Sequence, residues 1–261
     1  MKKNEDIFNI NEIEKHLLEK RRLVIIDEAT SSNDIAKEYA RQGEDEGTVI
    51  IVKSQTAGRG RMSREFISRS EAGLYMTIIL RPKMSADRAI SITTLGATAT
   101  LNAIEKTSKK TCSVKWVNDI YLNEKKVSGI LTEASIKTGS DTLEYAVIGI
   151  GVNVSQPEGG FHSSIKNIAT SIYDCAPSGY RARLCAEIIN EFFALYNKIE
   201  ENVHMEKYRQ RSFIIGKRVS VLVGDKELIG IATGIDDNAS LVLECEDGIH
   251  TLSSGEARIK K

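Results

Sequence analysis

The run SVKWVNDIYLNEKKVSGILTEASIKTGSDTLEYAVIGIGVNV, residues 113 to 154, decides the fold class. It predicts four strands: Ser113 to Val117, Ile120 to Leu122, Val127 to Ile136 and Leu143 to Val154. Polar turns at Asn118-Asp119, Asn123-Glu124-Lys125 and Thr138-Gly139-Ser140 separate them. Connections this short join antiparallel neighbours, as in a meander. A chain with such a run and several helices reads as α+β rather than doubly wound.

Working outward, Ser85 to Thr107 predicts a long helix despite its threonines, and Leu74 to Leu80 a strand stopped by Pro82. Thr48 to Val52 is a β-branched run that suits a buried strand. Before it, Ser32 is the expected cap of a helix through Gln42, with Gly43 as its stop. Leu23 to Asp27 reads as a strand. Residues 9 to 20 read as a first helix, with Asn11 and Glu14 as a weak capping box. On the other side, Arg181 to Glu201 carries Leu184, Ile188, Phe192, Leu195 and Ile199 at spacings of three and four, which predicts an amphipathic helix. A shorter helix is expected near 203 to 211. After Gly216 come Val219 to Val223, Leu228 to Thr233, Leu241 to Cys245 and His250 to Leu252, short strands split by Gly-Asp, Asp-Asp-Asn and Asp-Gly turns. The organisation expected is a main domain over 1-212 and a small all-β module over 213-261.

The 261 residues hold 36 Lys+Arg against 36 Asp+Glu, so net charge is zero. A broad basic surface for nucleic acid is excluded, and anion chemistry has to come from a local cluster. The longest uncharged stretch, Ala89 to Ile104, is too short and too rich in Ser and Thr to span a bilayer. Cys112, Cys175, Cys185 and Cys245 are scattered, as are His16, His162, His204 and His250. Reduced thiols in a cytoplasmic protein are expected rather than a zinc framework or disulfides.

Residues 55 to 72 break all periodicity, and within them lies QTAGRGRMSR, Gln55 to Arg64. Three arginines alternate with small residues between two buried strands. Glycine lets backbone amides close on an anion, and arginine grips phosphate or carboxylate in a bidentate way. A solvated surface loop and an Arg-Gly RNA-binding segment are the competing readings. Gly149-Ile150-Gly151-Val152-Asn153 sits inside a strand pattern, so its glycines point to close approach of a ligand or a neighbouring strand. Asn118-Asp119, flanked by Trp116 and Tyr121, reads equally as a hairpin tip between core aromatics or as a site. Lys126 opens an otherwise apolar strand ahead of Ser128-Gly129, where it is either solvated or reaches over a bound anion.

Five segments occur in one order: Asp27 to Asn33; Gln55 with Gly58-Arg59-Gly60-Arg61; Lys115-Trp116-x-Asn118-Asp119-Ile120-Tyr121; Lys126-x-x-Gly129-Ile130-Leu131; and Gly149-Ile150-Gly151-x-Asn153-Val154. Together they resemble the biotin protein ligases, the biotin–acetyl-CoA-carboxylase ligase family. The module after Gly216 is similar to that family's small C-terminal β-barrel, so the resemblance covers nearly the whole chain. It implies a mixed, largely antiparallel sheet flanked by helices, of the class II aminoacyl-tRNA synthetase-like type. It also implies activation of biotin by ATP to biotinyl-5′-AMP, then transfer to a lysine of a biotin carboxyl carrier domain. By resemblance, Lys126, Arg59 and Arg61 are the catalytic cations. Ser31, Ser32, Asn33, Gln55, Arg59, Gly60, Arg61, Lys126 and Gly129 are the biotin-binding set. Arg61, Arg64, Phe66, Asn118, Asp119, Lys126 and Asn153 are the ATP and adenylate set, with Asp119 toward magnesium. ATP and magnesium are the implied co-substrate and metal. Monomers and homodimers both occur among relatives.

Departures from the family pattern are Ser63 for a glycine, Val117 for a proline, and Phe66, preceded by Glu65, for a tryptophan. They suggest a looser lid over the adenylate. The residues ahead of Leu23 leave no room for the winged helix with which some relatives bind operator DNA, so no nucleic-acid partner is expected. The rivals are a lipoate or octanoate transferase, whose Arg-Arg-x-x-Gly-Gly-Gly stretch is absent here, and a non-enzymatic biotin sensor with a degenerate loop.

Overall fold

A computed structural model of the chain describes residues 7–68, 72–224 and 226–260. In chain order the main region contains α1 (Ile10–Glu14), β1 (Leu23–Ala29), α2 (Ser32–Arg41), β2 (Val49–Gln55), β3 (Gly73–Leu80) and α3 (Ala89–Ser108). The meander follows as β4 (Ser113–Lys115), β5 (Asp119–Leu122), β6 (Lys125–Ile136) and β7 (Leu143–Asn153), then α4 (Tyr180–Tyr196) and α5 (His204–Arg211). The seven strands form one sheet in the order β1-β2-β3-β7-β6-β5-β4. Only β1 and β2 pair in parallel, across the α2 crossover; every other pair is antiparallel. The α+β expectation therefore holds.

The central strands are apolar on both faces because both faces are covered. Every residue of β3 is buried. Alternate side chains separate into two layers. Ile79 and Val147 join Ala36 and Ala40 of α2 in the smaller core. Ile78, Leu80, Ile148 and Ile150 join α3 and α4 in the larger one. Gly96 lets α3 settle on β7, since a β-carbon there would lie 2.3 Å from Ile148 Cδ1. The threonines of α3 satisfy their own hydroxyls: Thr98 donates to the Thr94 carbonyl at 2.9 Å and Thr100 to the Gly96 carbonyl at 2.7 Å. A Thr-rich helix can thus be buried without orphaned hydroxyl groups.

The C-terminal module is a five-stranded antiparallel sheet, β8 (Arg218–Val223), β9 (Lys226–Ile235), β10 (Leu241–Cys245), β11 (Gly248–Leu252) and β12 (Glu256–Ile259), ordered β11-β10-β9-β8-β12. Its buried Val219, Val221, Ala232, Leu241 and Leu243 belong to the same hydrophobic cluster as the main sheet. Trp116 Nε1 donates to the Ala239 carbonyl at 2.9 Å, and Tyr208 Oη donates to the Val117 carbonyl at 2.9 Å.

Several boundaries differ from expectation. The first helix covers only Ile10–Glu14, and its cap is Asn9, whose Oδ1 accepts from Glu12 N at 3.0 Å. The chain beyond it turns back onto α4, where Leu18 N donates to Asn190 Oδ1 at 2.9 Å. The cap of α2 is Ser31 rather than Ser32, whose hydroxyl turns inward. Strand β4 stops at Lys115, and α4 at Tyr196, with a separate 3-10 turn over Ile199–Glu201. The fifth module strand went unread: four residues with alternating charge behind Gly255 carry little strand signal. Among the described residues no helix is long and apolar enough to cross a membrane.

His204, at the start of α5, is 1% exposed and touches Thr94 Oγ1 at 3.1 Å through Nε2. Burial, and then the charge of Arg209, lower its pKa from 6.5 to about 4. Between those values the unfolded chain binds a proton that the folded chain does not, so stability falls as pH falls. Wild type should lose about 2 kcal/mol between pH 7 and pH 5 that a His204→Gln variant does not lose. Urea unfolding at the two pH values measures the difference, and equal losses would remove this role.

Candidate active site

The C-terminal end of β2, the N-terminus of α2 and the inner stretches of β5, β6 and β7 converge on one cavity of about 440 Å³. The loop after β2 and residues 255 to 258 of the module complete its walls.

Its inner end is a ring of short polar side chains on the α2 N-terminus. Ser32 N donates to Gln55 Oε1 at 2.8 Å, and Gln55 Nε2 donates to Ser68 Oγ at 2.8 Å. Thr77 Oγ1, in the middle of β3, lies 2.8 Å from both Ser32 Oγ and Asn33 Oδ1. Asn33 Nδ2 donates to Glu133 Oε2 at 2.8 Å. Gly149 is required beside this ring, because a β-carbon there would stand 2.1 Å from Asn33 Oδ1. Ser31, Ser32, Asn33 and Gln55 therefore come together as expected. Thr77 and Glu133 were missed, although a lone threonine inside the apolar run LYMTIIL was a readable signal.

The outer end is cationic. Lys126, the second residue of β6, has its backbone held on both sides, its N–H donating to the Ile168 carbonyl and its carbonyl accepting from Thr170 N, each at 2.8 Å. Its Nζ lies 2.6 Å from Asp119 Oδ1, an ion pair set at an angle off that of a hydrogen bond. Burial lowers the pKa of both Arg61 and Lys115, and in each case Asp119 is the largest opposing influence. Both cations thus stand partly stripped of water, where a charge acts more strongly on a bound anion. Asn118 Nδ2 donates to the Ile130 carbonyl at 2.8 Å, so its amide pins the β5–β6 hairpin while lining the cavity. Asn153 Nδ2 donates to the Thr170 carbonyl at 3.0 Å on the same wall.

The Arg-Gly loop folds back on itself. Gly60 N donates to the Arg64 carbonyl at 2.7 Å and Phe66 N to the Gly58 carbonyl at 2.8 Å. Gly58 cannot carry a side chain, since a β-carbon would meet the Phe66 carbonyl at 2.3 Å. Met62 takes the left-handed conformation at φ 55°, a strained choice for a non-glycine. Only the backbone of Ser63 is described. Arg59 and Arg61 both line the cavity, and Arg59 also pairs with Asp34 of α2, with Glu133 at 3.6 Å. Arg64 pairs with Glu256 of β12. The Phe66 ring lies on the glycine floor: a β-carbon on Gly151 would stand 2.7 Å from it, and one on Gly129 3.5 Å. Sequence reasoning also missed Gly255 to Arg258, for no local signal says that a distant module supplies a cavity wall.

The arrangement combines a buried ring of short polar side chains with a cluster of cations in one cavity. It suits a substrate with a small polar head, an apolar body and an anionic tail brought against a polyphosphate. Asp119 also suits magnesium, which takes one or two protein carboxylates and leaves its other positions to phosphate and water.

The sequence profile of the biotin/lipoate A/B protein ligase family matches residues 26–153, and that of the biotin protein ligase C-terminal domain matches residues 214–258. The chain is 34% identical over 245 residues to the bifunctional ligase/repressor BirA of Bacillus subtilis, spanning 92% of this chain and 74% of that protein. It is 30% identical over 251 residues to the biotin–acetyl-CoA-carboxylase ligase of Mycobacterium tuberculosis, spanning 90% and 88%. A biotin protein ligase from Aquifex aeolicus in complex with biotin and ATP superposes with a TM-score of 0.76 at 28% identity, over 93% of this chain and 100% of that one.

Proposed function

The chain belongs to the biotin/lipoate A/B protein ligase family, and from that premise we propose how its own residues carry out ATP-dependent ligation of biotin to a carrier lysine. The observation that carries the reading is the polar ring of Ser32, Asn33, Gln55 and Thr77 joined through one cavity to Arg61, Lys115 and Lys126.

The ureido group of biotin needs matched donors and acceptors, and an unmatched buried polar group costs roughly 1–3 kcal/mol. Ser31, Ser32, Asn33 and Gln55 supply them. The apolar bicycle and tail lie in the same cavity, beside the Phe66 ring that rests on Gly129 and Gly151. This brings the carboxylate toward Lys126 and Arg61. Carboxylate and triphosphate repel each other, so attack on the α-phosphorus needs fixed cations and an in-line approach. Lys126 bridges the carboxylate and the α-phosphate, and Arg61 faces the phosphates, with Arg64, Asn118 and Asn153 on the nucleotide side. Asp119 holds Lys126 in place and is the residue to hold magnesium, which neutralises phosphate charge when bound. The biotin carboxylate oxygen bonds to phosphorus as pyrophosphate leaves. The carrier lysine then bonds to the acyl carbon as AMP leaves. Arg59, which also lines the cavity, is tied to Asp34 and Glu133 and so steadies the loop and the ring while its guanidinium remains beside the anions. We place the catalytic domain at 1-212 and the module at 213-261, with the module supplying Glu256 as the anchor of Arg64. The balanced charge gives no support for operator binding.

Biotin-dependent exchange of pyrophosphate into ATP tests the reading. Exchange with biotin and none with lipoate is expected; exchange with lipoate alone would favour an enzyme that activates lipoate, and none with either would leave the sensor or a transferase that uses no ATP.

The loop is expected to open readily, because its outer ties, Arg59–Asp34 and Arg64–Glu256, are partly exposed ion pairs worth about 0–1 kcal/mol each. Trypsin should cut after Arg59, Arg61 or Arg64, and biotin with ATP should slow the cut. A rate unchanged at saturating ligand would rule out ligand-driven closure.

A further inference from the structure

Away from the cavity, three side chains of metal-binding type meet on the β10–β11 hairpin. Cys245 ends β10 and pairs with Gly248, the first residue of β11, across the two-residue turn Glu246-Asp247. His250 stands two residues beyond Gly248, so it projects on the same face as Cys245. Asp247 leans in from the turn and brings Oδ1 to 2.8 Å from His250 Nε2. The Cys245 sulfur and the Asp247 and His250 donors all lie within 4.8 Å of one another, the one such group of three among the described residues. Beneath the sulfur is Gly230 of β9, where a β-carbon would come within 2.9 Å of Sγ. That close approach seats the thiol against the sheet and leaves the opposite side, next to exposed Asp247, open to water.

We propose that this hairpin is a zinc site, with Cys245 Sγ, a ring nitrogen of His250 and an Asp247 oxygen as protein ligands and water as the fourth. A mixed sulfur, imidazole and carboxylate set suits zinc and its transition-metal neighbours, and not magnesium or calcium, which take oxygen alone. Zinc bonds of about 2.0–2.3 Å put tetrahedral donors roughly 3.5 Å apart, so the side chains draw in by about an ångström, a rotamer adjustment at a surface turn. On binding, the sulfur lone pair forms the zinc bond and the thiol proton leaves to solvent, with no change of oxidation state. Burial and the Asp247 charge hold the Cys245 thiol above its ordinary pKa, and a bound cation offsets the second of these. The ion would staple β11, an edge strand of the module paired only to β10. None of the three residues lines the ligase cavity.

The test uses the full chain with the exposed Cys175 changed to serine, titrated with cobalt(II) and then zinc(II) chloride. One equivalent of cobalt should give the intense visible bands of a tetrahedral ion and a thiolate charge-transfer band, both bleached by zinc. Cys245→Ser should abolish the charge-transfer band. His250→Ala should weaken zinc binding at least as much as the roughly 10–100-fold that loss of an outer partner costs a metal site. Zinc should raise the unfolding temperature of the parent and not that of Cys245→Ser. Biotin-dependent pyrophosphate exchange by both variants confirms that they are folded. A charge-transfer band that survives Cys245→Ser, or no band at one equivalent of cobalt, would overturn the proposal and leave His250–Asp247 as a plain hairpin ion pair.

Discussion

Lys126→Ala is expected to lower biotinyl-adenylate formation by about a hundredfold or more while the fold stays intact, the scale of removing one preorganised donor. The fold should survive because the backbone of residue 126 is held by Ile168 and Thr170, and the side chain, 31% exposed, fills no core. The rate should fall because, among the described residues, no other cation stands at the same point of the cavity. Arg61 and Lys115 flank Asp119 but do not replace an ammonium placed 2.6 Å from it. Removing the ammonium also leaves the Asp119 carboxylate to repel the incoming phosphates. Pyrophosphate release with biotin and ATP, beside a thermal melt of the same sample, measures both halves. A folded variant turning over at close to the parent rate would remove Lys126 from the mechanism.

Trp116→Ala should destabilise the chain by about 3–5 kcal/mol, the usual cost of emptying a large aromatic site in a core. Trp116 is 3% exposed, and its indole N–H crosses to the Ala239 carbonyl of the module at 2.9 Å. The alanine variant therefore loses apolar burial and leaves a buried carbonyl unpaired. Trp116→Phe keeps most of the area and should cost only the unpaired carbonyl, about 1–3 kcal/mol. Urea unfolding of the two variants separates these contributions. Activity should fall with stability, because the same joint holds Gly255 to Arg258 against the cavity. A cost below about 1 kcal/mol for the alanine variant would mean that the module does not depend on this side chain.

The meander was legible because short polar turns between β-branched runs leave a chain few alternatives to antiparallel neighbours. The same reasoning failed at Glu256–Ile259, where four charged and apolar residues become a strand only because β8 offers an open edge. It failed also at Ser32, a good cap by type whose hydroxyl is claimed by Thr77 instead. The helix read to Glu201 ends at Tyr196 although its apolar spacing continues; Asn197 caps it, and the chain turns through Asn202 in a left-handed conformation.

Within the site, the segments holding Ser32, Gln55, Arg61, Asn118, Lys126 and Gly149 were all visible, because each departs from the pattern of the strand or helix around it. The sequence alone determined the α+β class, the family and the types of group gathered in the site, since periodicity, turn residues and motif order are local properties of the chain. Which groups face one another was decided by the tertiary structure. Arg59 and Arg61 are two residues apart in one loop and both line the cavity, yet the carboxylates beside Arg59 are Asp34 and Glu133 while the foremost one acting on Arg61 is Asp119. Phe66 rests on Gly129 and Gly151, and Glu256 anchors Arg64 from 192 residues away. The energy of such a pairing depends on distance and on the water removed around it, and both are set only when remote segments pack together.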